Sequence, residues 1–159
     1  GHGISVRGRT AVVLGTGGAA KTVICYLKDH GIRELLLVTR DPSGQDTDIS
    51  LMTYSQLERF AGADLLINCT PIGMYPRVEE CPVKATLLTR YGAVADLIYN
   101  PLETRLLREA RQQGVKICNG LSMLVGQAIA AEELWQKQAI EPGIVEELQQ
   151  AAAGFVTAR

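Results

Sequence analysis

In "AVVLGTGGAAKTVICYL", Ala11 to Leu27, three glycines stand between an apolar run and a helical pattern. Gly15, Gly17 and Ala20 fit the spacing G-x-G-x-x-G/A, with a further glycine at Gly18. The chemistry of that spacing is anion binding by backbone. Gly15 allows a tight turn, Gly17 leaves room for a pyrophosphate to approach the main chain, and Ala20 lets helix and strand pack closely. A helix starting near Ala19 offers free N–H groups and the positive end of its dipole to phosphates. The alternative reading of the stretch is a tight strand-to-helix turn with no ligand.

The end of the next strand decides which dinucleotide such a turn would take. An NAD site usually carries Asp or Glu there to bond the ribose 2′-hydroxyl. Here the residues are Thr39, Arg40 and Asp41. A guanidinium after a neutral residue suits a 2′-phosphate, which favours NADP. Asp41 keeps NAD open: turned inward, its carboxylate would repel a phosphate and accept a ribose hydroxyl.

Three later stretches are unusual: "NCTPIGM" from Asn68 to Met74, "DLIYNPLETRLL" from Asp96 to Leu107, and "NGLSMLVGQA" from Asn119 to Ala128. Each falls at the carboxyl end of an expected strand, the edge where open parallel sheets hold ligands.

The elements that would position these residues alternate. Strands are expected over Thr10 to Leu14, Glu34 to Thr39, Ile49 to Thr53, Asp64 to Cys69, Ala93 to Ile98 and Val115 to Cys118. Helices are expected over Ala19 to Asp29, from a cap at Ser55 through Phe60, over Pro82 to Tyr91, and from a cap at Thr104 to Gln113. Leu121 to Gln138 and Gly143 to Phe155 read as closing helices, hinged at Pro142. Alternation with short turns predicts an α/β fold: a doubly wound parallel sheet in the order 3-2-1-4-5-6, three layers deep.

The bulk composition narrows the function classes. The chain has 159 residues, 47% hydrophobic and 21% charged, with a net charge of −1, which suits one globular domain. Its 16 Lys and Arg are scattered, so no nucleic-acid partner is expected. No apolar run approaches a membrane span. Cys25, Cys69, Cys81 and Cys118 form no paired metal spacing with His2 or His30, so no metal is expected; they read as buried, reduced thiols of a cytoplasmic protein. Gly1 and His2 in place of an initiating Met suggest a piece of a longer protein.

With "VVLGTGGAAKTV", "INCTPIGM", "DLIYNPLETRLL" and "NGLSMLVGQA" followed by "LW", the stretch from about Val6 to Trp135 resembles the NADP-binding domain of the shikimate and quinate/shikimate dehydrogenases. The resemblance implies a Rossmann fold and an enzyme that reduces 3-dehydroshikimate to shikimate with NADPH in aromatic amino-acid biosynthesis. It implies that Gly15, Thr16, Gly17, Gly18 and Ala19 form the phosphate loop. Arg40 matches the family's usual Asn-Arg-Thr, while Thr39 and Asp41 depart from it. Thr70, Pro71, Gly73 and Met74 would lie beside the cofactor, and Gly120 and Met123 beside the nicotinamide. Tyr99 would face the substrate carboxylate and Gln127 would reach a substrate hydroxyl.

The family's proton donor and relay are a Lys and an Asp of a substrate domain that precedes the glycine turn. Only 14 residues precede Gly15 here, so no catalytic residue is assigned in this chain. The expectation is a cofactor-binding half, residues 1–159, that binds NADP without turning over shikimate. Residues 139–159 would form a helix that packs back toward the missing domain. Ile144, Val145, Leu148, Ala151, Ala152, Phe155 and Val156 approximate one face of it, which suggests a homodimer. Two other readings stay open: a stand-alone NADP(H)-binding regulatory module, and a quinate/shikimate dehydrogenase domain preferring NAD.

Overall fold

The computed structural model describes residues 6–43 and 47–121. Within them run β1 (Thr10–Leu14), α1 (Gly18–Asp29), β2 (Glu34–Thr39), β3 (Ser50–Thr53), α2 (Tyr54–Leu57) and β4 (Ala63–Asn68). A 3-10 helix (Ala85–Arg90), β5 (Tyr91–Asp96), α3 (Arg105–Gln112) and β6 (Lys116–Cys118) follow. All the strand pairs are parallel, in the order β3-β2-β1-β4-β5-β6. The chain winds outward one way from β1 and the other way from β4. The topological switch point therefore lies between β1 and β4.

Apolar residues on both faces of the strands make this arrangement stable. Val12, Leu14, Val38, Leu66 and Val94 face one core, closed by Leu57, Leu88, Leu106 and Leu107 from α2, the 3-10 helix and α3. Ala11, Val13, Leu37, Leu65 and Ile67 face the other, closed by Ala20, Val23 and Leu27 of α1. Ala20 is fully buried, as the close helix–strand contact expected at that position requires.

The sheet's register sets the functional edge. Leu14 pairs with Asn68, and Asn68 with Asp96. The ladder continues one residue further: Gly15 N donates to Val38 O at 2.9 Å, Cys69 N to Leu14 O at 3.0 Å and Leu97 N to Asn68 O at 3.0 Å. The loops after β1, β4 and β5 thus leave the sheet at one level.

Several local expectations need correction. The cap of α2 is Thr53, not Ser55. Its hydroxyl accepts from Gln56 N while the Gln56 side chain accepts from Thr53 N, a complete capping box. The segment expected as a helix over Pro82 to Tyr91 is a shorter 3-10 helix, and Tyr91 already opens β5. β4 and β5 begin and end earlier than expected: β4 pairs with β5 from Ala63 and Tyr91 to Asn68 and Asp96. Cys25 is exposed rather than buried, since the inward face of α1 runs through Ala20, Val23 and Leu27. Cys69, Cys81 and Cys118 are half-buried free thiols. Met123, Gln127, Trp135 and the two closing helices lie outside the described residues. Among those residues, no helix is long and apolar enough to cross a membrane.

Candidate functional site

A cavity of about 520 Å³ opens at the carboxyl edge, over the switch point. Gly15, Thr16 and Gly17 form one side of it, Thr39 and Arg40 a second, and Thr70 and Pro71 a third. Seven of the sequence-derived site residues are thus brought to one place from the ends of β1, β2 and β4.

The turn itself requires glycine at its first position. Gly15 has φ +97°, and a Cβ there would stand 3.0 Å from Thr70 Cγ2 and 3.4 Å from Cys69 O. Added Cβ atoms at Gly17 and Gly18 would meet nothing within 4 Å. Those two positions leave open space in front of the helix. α1 begins there with no side-chain cap and no acidic residue in its first turn. An uncapped helix start with unoccupied N–H groups and an unblocked approach fits a pyrophosphate.

Arg40 is exposed at the end of β2, whereas Thr39 is buried. Asp41 does not line the cavity. Its Oδ1 accepts from the Ser43 hydroxyl and, at 2.9 Å, from Ser43 N. Those bonds, the hydroxyl's first, hold its carboxyl below the usual range. The carboxylate is therefore spent on its own loop. Tyr54, absent from the sequence reading, lies beside Arg40; burial raises its phenol and the Arg40 charge works against that rise. Cys69 also lines the cavity. Burial, then the charge of Asp96, pushes its thiol up to about 12, so it is no nucleophile at neutral pH.

Behind the cavity lies a buried polar network that sequence reasoning missed. Asn68, Asp96 and Thr104 are each within 1% of full burial. Asn68 Nδ2 donates to Asp96 Oδ1 at 3.0 Å and to Ile72 O at 3.3 Å. Asn68 Oδ1 accepts from Thr70 N at 3.0 Å and from Thr70 Oγ1 at 2.7 Å. Asp96 Oδ1 also accepts from Ile98 N at 3.1 Å, and Asp96 Oδ2 from Thr104 Oγ1 at 2.7 Å. Burial raises the Asp96 carboxyl, against the bonds from Thr104, Ile98 and Asn68. The network fixes the loop bearing Thr70 to Gly73, the end of β5 and the start of α3. The signal available in the sequence was a single polar residue closing each apolar run, "LLIN" and "AVAD".

Among the described residues, Gly73, Met74, Tyr99 and Gly120 lie along the same edge but outside this cavity. Met74 and Tyr99 are nearly half exposed, on the loops after β4 and β5. Those loops touch, since Tyr75 N donates to Asn100 O at 3.2 Å. Gly73 sits in the first of them with φ +98°, and a Cβ there would stand 3.2 Å from Glu80 O. Gly120 N donates to Ile98 O at 3.3 Å. A Cβ at Gly120 would collide with the Leu97 carbonyl, so the chain after β6 crosses the end of β5 where only glycine fits.

No protein-family model matches the chain. Similar proteins agree with one another. A curated relative, the shikimate dehydrogenase (NADP(+)) of Clostridium beijerinckii, is 47% identical over 138 residues, which cover 84% of this chain and 51% of that protein. A chorismate mutase/shikimate 5-dehydrogenase fusion protein from Clostridium acetobutylicum superposes with a TM-score of 0.92 at 39% identity, over 97% of this chain and 57% of that one. The shikimate 5-dehydrogenase of Thermus thermophilus, solved with NADP(H) and shikimate, superposes with a TM-score of 0.79 at 33% identity, over 94% of this chain and 57% of that one. The chain spans about half the length of the curated relatives it matches.

Proposed function

We propose that this chain, a homologue of the shikimate dehydrogenases over about half of their length, is a dinucleotide-binding unit that takes NADP. The carrying observation is the cavity at the switch point, where the open helix start of α1 and the Arg40 guanidinium share one space. A bound NADPH would supply a hydride for a carbonyl of 3-dehydroshikimate, giving shikimate. In this reading the amides at Gly17 to Ala19 hold the pyrophosphate and Arg40 pairs with the 2′-phosphate. Thr70 and Pro71 wall the ribose side of the cavity. Gly73, Met74, Gly120 and Met123 border the nicotinamide, and Tyr99 and Gln127 face the substrate. The diversion of the Asp41 carboxylate to Ser43 supports NADP over NAD.

The chain's share of catalysis is then positional: it sets the nicotinamide at reacting distance. The proton donor and relay belong, by family resemblance, to the part of the relatives that this chain does not span. The 159 residues alone are expected to bind NADP without turnover, since loss of a general acid costs roughly 10²- to 10⁴-fold.

Titration calorimetry on Arg40→Ala tests the reading. NADP affinity should fall by about 1.5–3 kcal/mol, roughly a factor of ten to a hundred, with NAD little changed. Asp41→Ser should move neither, because its carboxylate serves its own loop. Equal losses of NADP and NAD on Arg40→Ala would remove the 2′-phosphate assignment. Following reduced-nicotinamide absorbance with shikimate on the same sample tests turnover; a clear rate would place a proton donor within the chain.

A further inference from the structure

Two arginines line the cavity at the glycine turn: Arg40, from the end of β2, and Arg77, from the segment after β4. Arg77 belongs to none of the motifs that point to dinucleotide binding. Its side chain is two-thirds exposed, and among the described residues its ion contact is Glu80, at 3.5 Å. That pair is long beside Arg105 and Glu109 at 2.7 Å. An exposed pair of this kind is weak, and it leaves most of the five guanidinium donors for another acceptor.

The backbone under Arg77 is nevertheless well held. Arg77 N donates to Met74 O at 2.9 Å and Glu80 N to Arg77 O at 3.1 Å. Arg105 Nη1 of α3 donates to Glu79 O at 2.9 Å. The side chain therefore swings from a fixed base.

Its position relative to Arg40 follows from the walls. A larger groove of about 870 Å³ adjoins the cavity, and Arg40, Tyr54, Ile72 and Glu80 line both. Glu80, the partner of Arg77, thus lines the cavity where it adjoins that groove, as Arg40 does. Two arginines and one glutamate therefore share the lining of this cavity. A phosphate monoester dianion can draw Arg77 from Glu80 and be held by both cations, whereas a ribose hydroxyl has no charge with which to compete for it.

We propose that Arg77 is a specificity-determining residue, the second cation that grips the 2′-phosphate of NADP, with Glu80 as its resting partner. The proposal rests on the dinucleotide reading and adds a residue to it. On binding, the Arg77–Glu80 contact opens and a charge-assisted contact to the phosphate replaces it. Glu80 acts as the counterweight: it weakens every 2′-phosphate ligand slightly and leaves NAD unaffected.

The test uses the 159-residue chain and its Arg77→Ala, Arg77→Lys, Glu80→Gln and Arg40→Ala variants, titrated with NADP, NAD, 2′-AMP and 5′-AMP at fixed salt. Arg77→Ala should weaken NADP and 2′-AMP about tenfold and leave NAD and 5′-AMP within about twofold. Arg77→Lys should fall between, and Glu80→Gln should tighten NADP and 2′-AMP alone. All three sites are on the surface, and matched urea midpoints establish that each of the four variants is folded. Equal weakening of NADP and NAD on Arg77→Ala would overturn the assignment, as would no change in either. If Arg40→Ala lowers NADP selectively and Arg77→Ala does not, the dinucleotide reading stands and Arg77 is only a rim charge. Failure of the wild-type chain to bind any of the four ligands overturns both.

Discussion

The two edges of the sheet treat polar residues in opposite ways. At the amino edge, Asp64 accepts from Arg9 Nη1 at 2.7 Å and from Thr10 N at 2.9 Å, and Arg33 Nη2 donates to Thr10 Oγ1 at 3.0 Å. Thr10 is buried, but the charged pair reaches water, with Arg9 just over half exposed and Asp64 about a third. At the carboxyl edge, Asn68, Asp96 and Thr104 are buried, and each bond they make fixes the departure of a loop. Water can replace a lost partner at the first edge and cannot reach one at the second. The edge that carries the candidate site is therefore the one whose polar groups are least exchangeable. Loop positions there have to hold against a ligand.

The largest effect that separates the edges should come from Asp96→Ala. It strands Ile98 N and the Thr104 hydroxyl without acceptors inside the fold and leaves the Asn68 amide only its longer bond to Ile72 O. A loss of about 3–5 kcal/mol in urea denaturation is expected. Arg9→Ala at the amino edge should leave the urea midpoint close to wild type. Similar losses for the two variants would erase the distinction.

Thr104→Val should come next. Thr104 Oγ1 caps α3 by accepting from Leu107 N at 3.4 Å while it donates to Asp96. Removing both bonds at nearly constant volume should cost about 1–2 kcal/mol. Combined with Asp96→Ala, the two losses should fall short of adding, because they share a bond. Full additivity would mean the network is not one unit.

The finest test is the pH dependence of stability, which has opposite signs at the two edges. The Thr10 amide, then the Arg9 side chain, holds the Asp64 carboxyl below its ordinary value of 3.8. Its contribution is present above 3.8 and is lost as pH falls through the lowered value. The Asp96 carboxyl is raised above 3.8 by burial, so its contribution is full below 3.8 and is lost as pH rises through the raised value. The stability gap between wild type and Asp64→Asn should thus shrink on the acid side of 3.8. The gap between wild type and Asp96→Asn should shift in the variant's favour on the alkaline side. Urea titrations at a series of pH values read both. Parallel profiles would show that burial does not govern Asp96.

What can be read directly from the residues here is whatever a few neighbours enforce on one another. The glycine turn is of this kind: a backbone with φ +97° at Gly15 and a helix start without side chains at Gly17 and Gly18 are written locally. So are the apolar strands, the Thr104 cap and the alternation that leads to the 3-2-1-4-5-6 order. Other features depend on which strands become neighbours. Asn68 and Asp96 stand 28 residues apart and bond because β4 and β5 pair in that register. Thr53 takes the cap from Ser55 because β3 runs on to the first residue before α2. Cys25 faces outward because the phase of α1 is set by Ala20 against the sheet. Arg40, Tyr54 and Arg77 meet in one cavity because β2, β3 and β4 all end at the same edge. Dihedral preference and periodicity act over a turn or two of chain, whereas these contacts exist only after the sheet has chosen its order and register.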